Sequence, residues 1–368
     1  MRETAPPIRV PQFRSFIDES DYHALKEVFD RNYIAEGPCA NTFRDKLQEM
    51  IGAPYAVLAS NGTVALYLAL KALGIGPGDE VIVQDVTFIA TANAVEMVGA
   101  TPRFVDIPAF DDLTVDISRI EVGPRTKAVM VAHLFGTACR NIEEVRAFCR
   151  EHGLFLVEDA AQALGITNGE TACGMFGDAG TFSFYADKTI TAGEGGLVVT
   201  PHEHVYERMR LLRNQGRPNS GTFVHPEIGF NFRVTDMQGA LGLSQLSKLD
   251  TIIADKRRIH ERYAFGLGGR VRFLRIREDF SYIPFRVVAF VEDADHSIDV
   301  MRAHGVEPRA MFYPLHRQPC YAHLGPAQED AYPNADECLQ RGICLPTWVG
   351  LPDADIDYTI EALLASLG

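Results

Sequence analysis

Over its first 250 residues the chain alternates between two hydrophobic periods, and nothing else restricts the fold as much. Short apolar runs of strand type recur at Tyr55 to Ser60, at "VIVQ" (81–84), "RFVDI" (103–107), "AVMVAHL" (128–134) and "LFLVEDA" (154–160). Between them lie segments with helical spacing: "VALYLALKAL", Ile89 to Val98, and "NIEEVRAFCREHG". In the last of these, Asn141 is the expected N-cap, Glu144 its capping-box partner and Gly153 the stop. Repeated strand–helix alternation predicts a mostly parallel sheet covered by helices on both faces.

After about Leu249 the texture changes. A charged helical stretch, "DKRRIHERYAF", leads to the strand-like "FRVVAFV", a helix near "HSIDVMRAHG", a Pro-rich irregular part from Pro308 to Pro346, and a terminal helix in "DADIDYTIEALLASLG". The predicted organisation is a large α/β domain over residues 1–249, N-terminal segment included, and a smaller α+β domain over 250–368.

Charge and cysteine usage narrow the function. A formal charge of −14, with no Lys or Arg run longer than three, disfavours nucleic acid and anionic membranes as partners. It does not exclude phosphates, which backbone amides can hold. The opening "MRETAPPIRVPQFRSF" lacks the apolar core of a leader, and no stretch approaches the ~18–20 apolar residues of a membrane span. Seven scattered cysteines, without a C-x-x-C pair, speak against disulfide or metal frameworks and for a reducing cytoplasm.

Three constellations carry chemistry. "SNGTVAL" ends a strand in an Asn-Gly turn and opens a helix near Thr63, which makes either a capped turn or an anion site at a helix N-terminus. The glycine signatures of dinucleotide and nucleoside-triphosphate sites are absent. In "VEDAAQALG", Asp159 ends a strand expected to be buried, where open α/β sheets place ligands. It serves equally well as a helix N-cap with Gln162 as capping-box partner. Lys188 lies in "GTFSFYADKTITAGEGGLVVT", between two runs of buried-strand type and beside a glycine cluster, and no carboxylate partner is expected for it. Held out of water, its amine would be lowered in proton affinity and able to form a Schiff base. A phosphate cradle, an acid for a ring cation and such a lysine are together what pyridoxal phosphate needs.

The chain resembles the DegT/DnrJ/StrS family of sugar aminotransferases, and its perosamine-synthase-type members in particular. The resemblance is carried by "NYIAEGP", "SNGTVAL", "GDEVIVQDVTFIATANAV", "VEDAAQALG", "GDAGTFSFYADKTITAGEGG", "GFNFRVTDMQGALGLSQL" and "FYPLHRQP", with Asp187 where an asparagine is usual. It implies the aspartate-aminotransferase (type I) fold, pyridoxal phosphate as cofactor, and a homodimer with shared sites. It assigns Lys188 as the attachment point and proton shuttle, Asp159 to the ring nitrogen, Gln162 to the phenolic oxygen and Phe88 to the ring face. Gly62, Thr63 and Ser183 would hold the phosphate, with Asn231 reaching it from the partner subunit. Arg233 would meet the donor carboxylate, against the rival of a structural salt bridge, and His316 would lie near the sugar.

The implied reaction moves the amine of L-glutamate to a nucleotide-linked keto sugar, with carbon 4 of a 4-keto-6-deoxyhexose as the expected position. A keto-cyclitol, an aminobenzoate precursor, an eight-carbon keto sugar acid, or a non-catalytic regulator are the alternatives. Lys188 argues against dehydratase relatives, which carry histidine there. Acceptor choice is expected in loops such as "GRPNSGTFVHPE" and in the irregular C-terminal part.

Overall fold

The computed structural model describes residues 7–219, 221–325 and 331–368. Residues 1–6 of the opening segment, Ser220 of the "GRPNSGTFVHPE" loop and 326–330 of the Pro-rich part lie outside the described residues. Along the chain, α1 (Glu19–Asp30) and α2 (Pro38–Ile51) precede β1 (Tyr55–Ala59), α3 (Gly62–Ala72), β2 (Glu80–Gln84), α4 (Ala90–Met97) and β3 (Thr101–Val105). Then come β4 (Thr126–Ala132), α5 (Ile142–His152), β5 (Phe155–Asp159) and a hairpin of β6 (Thr167–Asn168) and β7 (Thr171–Ala172). Next are β8 (Ala179–Ser183), β9 (Gly196–Thr200), α6 (Glu203–Arg213), α7 (Asp236–Leu246) and α8 (Leu249–Leu267). The C-terminal part holds β10 (Arg272–Phe273), β11 (Val287–Phe290), α9 (Ala294–Ala303), β12 (Arg309–Ala310), α10 (Pro333–Arg341), β13 (Gly342–Leu345) and α11 (Asp353–Ser366).

Among the described residues, seven strands form one sheet in the order β1-β9-β8-β5-β4-β2-β3. Only β9 runs against its neighbours; β8, β5, β4, β2 and β3 pair in parallel. Consecutive strand residues face opposite sides of a sheet, and both sides here are apolar. Ile82, Val129, Val131, Leu156 and Phe182 enter one core, and Val81, Val83, Met130 and Val157 the other. Burial on both faces explains why these strands read as continuous apolar runs.

A second sheet, β10-β11-β13-β12, is antiparallel and packs with α8, α9 and α11 around its own core. The part read as irregular from Pro308 to Pro346 contains α10 and the inner strand β13. Four residues after a proline-rich run leave too short a pattern to read as a strand. The N-terminal strap also joins this second core. Val10 packs there, Val10 bridges to Val306, and Trp348 Nε1 donates to the Pro11 carbonyl at 3.1 Å.

One local expectation fails. Asn141 occupies the cap position of α5 but makes no side-chain cap bond. Its amide instead donates to the Val115 carbonyl at 2.9 Å, a tertiary contact that takes it away from Glu144. Gly153 does end the helix, with φ +65°.

Helices α2 and α7 meet at small residues. Asp236, wholly buried, accepts from the Ala40 amide at 2.8 Å, and a Cβ on Gly239 would fall on the Ala40 backbone. Gly239→Ala should therefore force the helices apart and cost about 1–3 kcal/mol, read as a lower urea midpoint at unchanged slope.

Candidate active site

The parallel strands end along one edge of the sheet, and their last residues gather the chemistry. Register sets Ala132 beside Asp159 and Asp159 beside Thr181, while β1, antiparallel to β9, delivers α3 to the same edge. A cavity of about 520 Å³ opens there. Gly62, Thr63, Phe88, Asp159, Gln162, Ser183 and Lys188 all line it.

At one end of the cavity is the start of α3. Asn61, not a threonine, caps it, accepting from the Val64 amide at 2.9 Å. The amides of Gly62 and Thr63 have no partner among the described residues. A Cβ on Gly62 would meet Ser183 Cβ at 2.8 Å, so only glycine leaves space between the helix start and β8. Free amides, two hydroxyls and the positive end of a helix suit a phosphate.

Asp159 is 6% exposed. Thr91 Oγ1 donates to one carboxylate oxygen at 2.7 Å and the Ala161 amide to the other at 3.1 Å. No helix follows β5, so the capping-box pairing of Asp159 with Gln162 does not form. Gln162 Oε1 accepts from the Phe135 amide at 2.7 Å, and its Nε2 donor has no partner among the described residues. Burial pushes the Asp159 carboxyl up despite the Thr91 bond. A carboxylate so placed calls for a cation against it.

Lys188 sits in the β8–β9 loop, its side chain 15% exposed. Burial pulls its amine below the ordinary lysine value, with Asp187 and Asp159 opposing. The expectation of no carboxylate partner is wrong: Asp187 Oδ1 stands 3.9 Å from Nζ. Behind Asp159, Glu158 is fully buried and accepts from His133 Nε2 at 2.8 Å and from the Gly174 and Gly177 amides at 2.7 Å. The Cys139 amide points at His133 Nδ1, 2.9 Å away, which requires a lone pair there and makes the imidazole neutral.

Three expected residues lie off the cavity wall. Asn231 is exposed, in a segment tied to 212–216 by backbone hydrogen bonds. Arg233 donates to Asn214 Oδ1 at 2.9 Å, and so is held by an amide and not by a salt bridge. His316 Nδ1 bonds the buried Asp85 at 2.6 Å and its ring stacks on Tyr332, so this histidine ties down its own loop. Conversely, the cavity includes Thr87, Phe285, Arg286, Arg309 and Phe312, none of them singled out from the sequence. The last four come from the C-terminal domain, and only tertiary contact brings them here. Phe88, 53% exposed, and Phe312 face each other at 5.9 Å across the opening.

The residues fit pyridoxal phosphate without rearrangement. The cradle at Gly62 suits a phosphate, the buried Asp159 suits a ring cation, and the Lys188 amine lies within the same cavity. This fold with this site defines a pyridoxal-phosphate-dependent aminotransferase. Comparison with known proteins agrees. The model of the DegT/DnrJ/EryC1/StrS aminotransferase family matches residues 15–364. The GDP-perosamine synthase of Caulobacter vibrioides is 38% identical, with 97% of this chain and 98% of that protein aligned. A UDP-N-acetyl-3-dehydro-α-D-glucosamine 3-aminotransferase of Acidithiobacillus ferrooxidans is 36% identical over 83% of this chain and 82% of its own. The crystal structure of S. venezuelae DesV superposes with a TM-score of 0.90 at 30% identity, covering 98% of this chain and 99% of that one. The chain belongs to the DegT/DnrJ/EryC1/StrS aminotransferase family.

Gly62→Ala tests the cradle. Its methyl group would occupy the space beside Ser183, so the affinity of the apoprotein for pyridoxal phosphate should fall at least tenfold, or about 1.4 kcal/mol. Absorbance titration reads this, and an unchanged affinity would remove the α3 start from the phosphate site.

Proposed function

We propose that this enzyme moves the amine of L-glutamate to a nucleotide-linked keto sugar, at carbon 4 of a 4-keto-6-deoxyhexose, in the making of an amino sugar for a polysaccharide or related product. The observation carrying this reading is end-to-end similarity to a GDP-perosamine synthase. The similarity to a 3-aminotransferase covers less of the chain and favours, as a second reading, amination at carbon 3.

In this reading pyridoxal phosphate supplies an electron sink and a carbon that carries the amine between substrates. Lys188 holds the cofactor and, once free, moves a proton between the two carbons flanking the transferred nitrogen. A buried amine of lowered proton affinity suits both tasks. Asp159 keeps a proton on the ring nitrogen, Gln162 Nε2 donates to the phenolic oxygen, and Phe88 covers one ring face. Gly62, Thr63 and Ser183 hold the phosphate. Asn231, exposed on its braced segment, reaches the phosphate of a partner's site in a two-fold dimer, and Arg233 beside it meets the donor carboxylate. His316 acts through the loop it ties down, which also carries Phe312 of the cavity wall.

Two experiments test this. Glutamate should bleach the visible band of the loaded enzyme, and a panel of nucleotide-linked keto sugars should restore it. Restoration by a 4-keto sugar alone supports carbon 4, by a 3-keto sugar carbon 3, and by neither refutes the sugar acceptor. Sharing of sites is tested by mixing two inactive proteins, Lys188→Ala and the double variant Asn231→Ala, Arg233→Ala. Random exchange should return about a quarter of normal activity, because half of the dimers are mixed and half of their sites are intact. Exchange without recovery would place each site within one chain.

A further inference from the structure

Asp187 and Lys188 stand on a wall shared by the cavity and a narrow gap behind it, near Lys256 and Trp348, and Arg286 lines the cavity beside them. Arg286 donates to one Asp187 oxygen at 2.6 Å. The other oxygen, Oδ1, is buried, lacks a hydrogen-bond partner among the described residues, and lies 3.9 Å from Lys188 Nζ. Arg286 is held from a second side. With its amide oxygen turned to the guanidinium, Gln12 of the N-terminal strap accepts from it at 2.9 Å. Asp187 is therefore fixed by a guanidinium that is itself fixed, and presents one bare oxygen to the amine.

A buried carboxylate oxygen without a donor is unfavourable. The Lys188 amine stands 3.9 Å from it, just beyond hydrogen-bond reach. A small rotation of the flexible lysine stem closes that gap. We propose that Asp187 is the docking point of the Lys188 amine whenever it is free of the cofactor, and that the Asp187–Arg286 pair sets how firmly the amine holds its proton. This rests on the reading of Lys188 as the attachment residue. Asp187 and Arg286 are positioning residues here, since they act through Lys188.

The charges around the amine give the sign. Asp159 from β5 and Asp187 favour its protonation, and Arg286 opposes it. Lys256 on α8 also faces the gap; burial and Arg286 push it down to about 8, so it is still mainly a cation near neutrality and opposes protonation of Lys188. Glu194 and Arg309 are the other charged groups on the cavity wall, and His133 there is neutral. Removing the charge of Asp187 must therefore loosen the proton, and removing that of Arg286 must tighten it. A purely structural pair would not produce opposite signs.

The test is the pH dependence of Lys188 labelling with an amine-reactive reagent in the cofactor-free protein, where the amine is free, and in two variants. Asp187→Asn keeps shape and an acceptor for Arg286, and its midpoint should fall by about one unit or more. The midpoint of Arg286→Gln should rise. In the loaded enzyme the same charges act on the nitrogen that holds the cofactor, so the pH midpoint of its absorbance should move with the same opposite signs. Arg286→Gln alone decides if Asp187→Asn fails to fold. Unmoved midpoints, or shifts in one direction for both, overturn the proposal. Borohydride reduction of the unaltered loaded enzyme keeps the two readings apart. A pyridoxyl group mapped to a lysine other than Lys188 refutes the attachment, whatever the variants do.

Discussion

Strand β5 ends in two successive carboxylates, and their burial governs what surrounds them. Because neighbouring strand residues point to opposite faces, Glu158 and Asp159 need separate solutions. Glu158 is met by a neutral imidazole and two glycine amides, so its charge is spread over dipoles already fixed in place. Asp159 receives one hydroxyl and one amide and keeps a demand for positive charge. An unpaired ion at such depth is penalised by several kcal/mol. The cavity in front leaves room for a cation to meet that demand.

The other side of that cavity comes from the smaller sheet. Phe285 and Phe312 bring apolar surface, and Arg286 and Arg309 bring charge, to a cavity whose opposite wall is made by the strand ends and turns of the larger sheet. Leu134, Phe135, Phe285, Phe290 and Met311 form a core between the two. The close fit extends to the backbone. Gly136 has φ +90°, and a Cβ there would run into the Ile283 carbonyl. One side of the cavity is thus set by strand register, and the other by the packing of the smaller sheet against the larger one.

Period and punctuation made the larger sheet readable, since its inner strands are buried apolar runs closed by a turn or cap. The order of the Asn61 turn, Asp159 and Lys188 was readable from the same punctuation: the first two close strands, and Lys188 lies in the loop between β8 and β9. What escaped the sequence depends on contacts between distant residues. Asp187 looked like a mere neighbour of Lys188, but its role comes from Arg286, 99 positions away. Asn141 had a good partner in Glu144 and was drawn off by the Val115 carbonyl. Strand β13 is four residues long, and only its place between β11 and β12 makes it a strand. His316 drew attention as a lone histidine, whereas Asp85, buried at the end of β2, determines where it points.

The N-terminal strap has a consequence for the order of manufacture. Residues Arg9 and Val10 hydrogen-bond to Gly305, and Ser15 Oγ to the Ala186 carbonyl two positions before Lys188. Translation releases the strap first and its partner at Gly305 almost last. At roughly 5–20 residues per second, the opening segment waits on the order of tens of seconds for the surface it covers. Until then Arg286 lacks Gln12 and the second core lacks Val10, so the ribosome must finish most of the chain before the wall behind Lys188 can close.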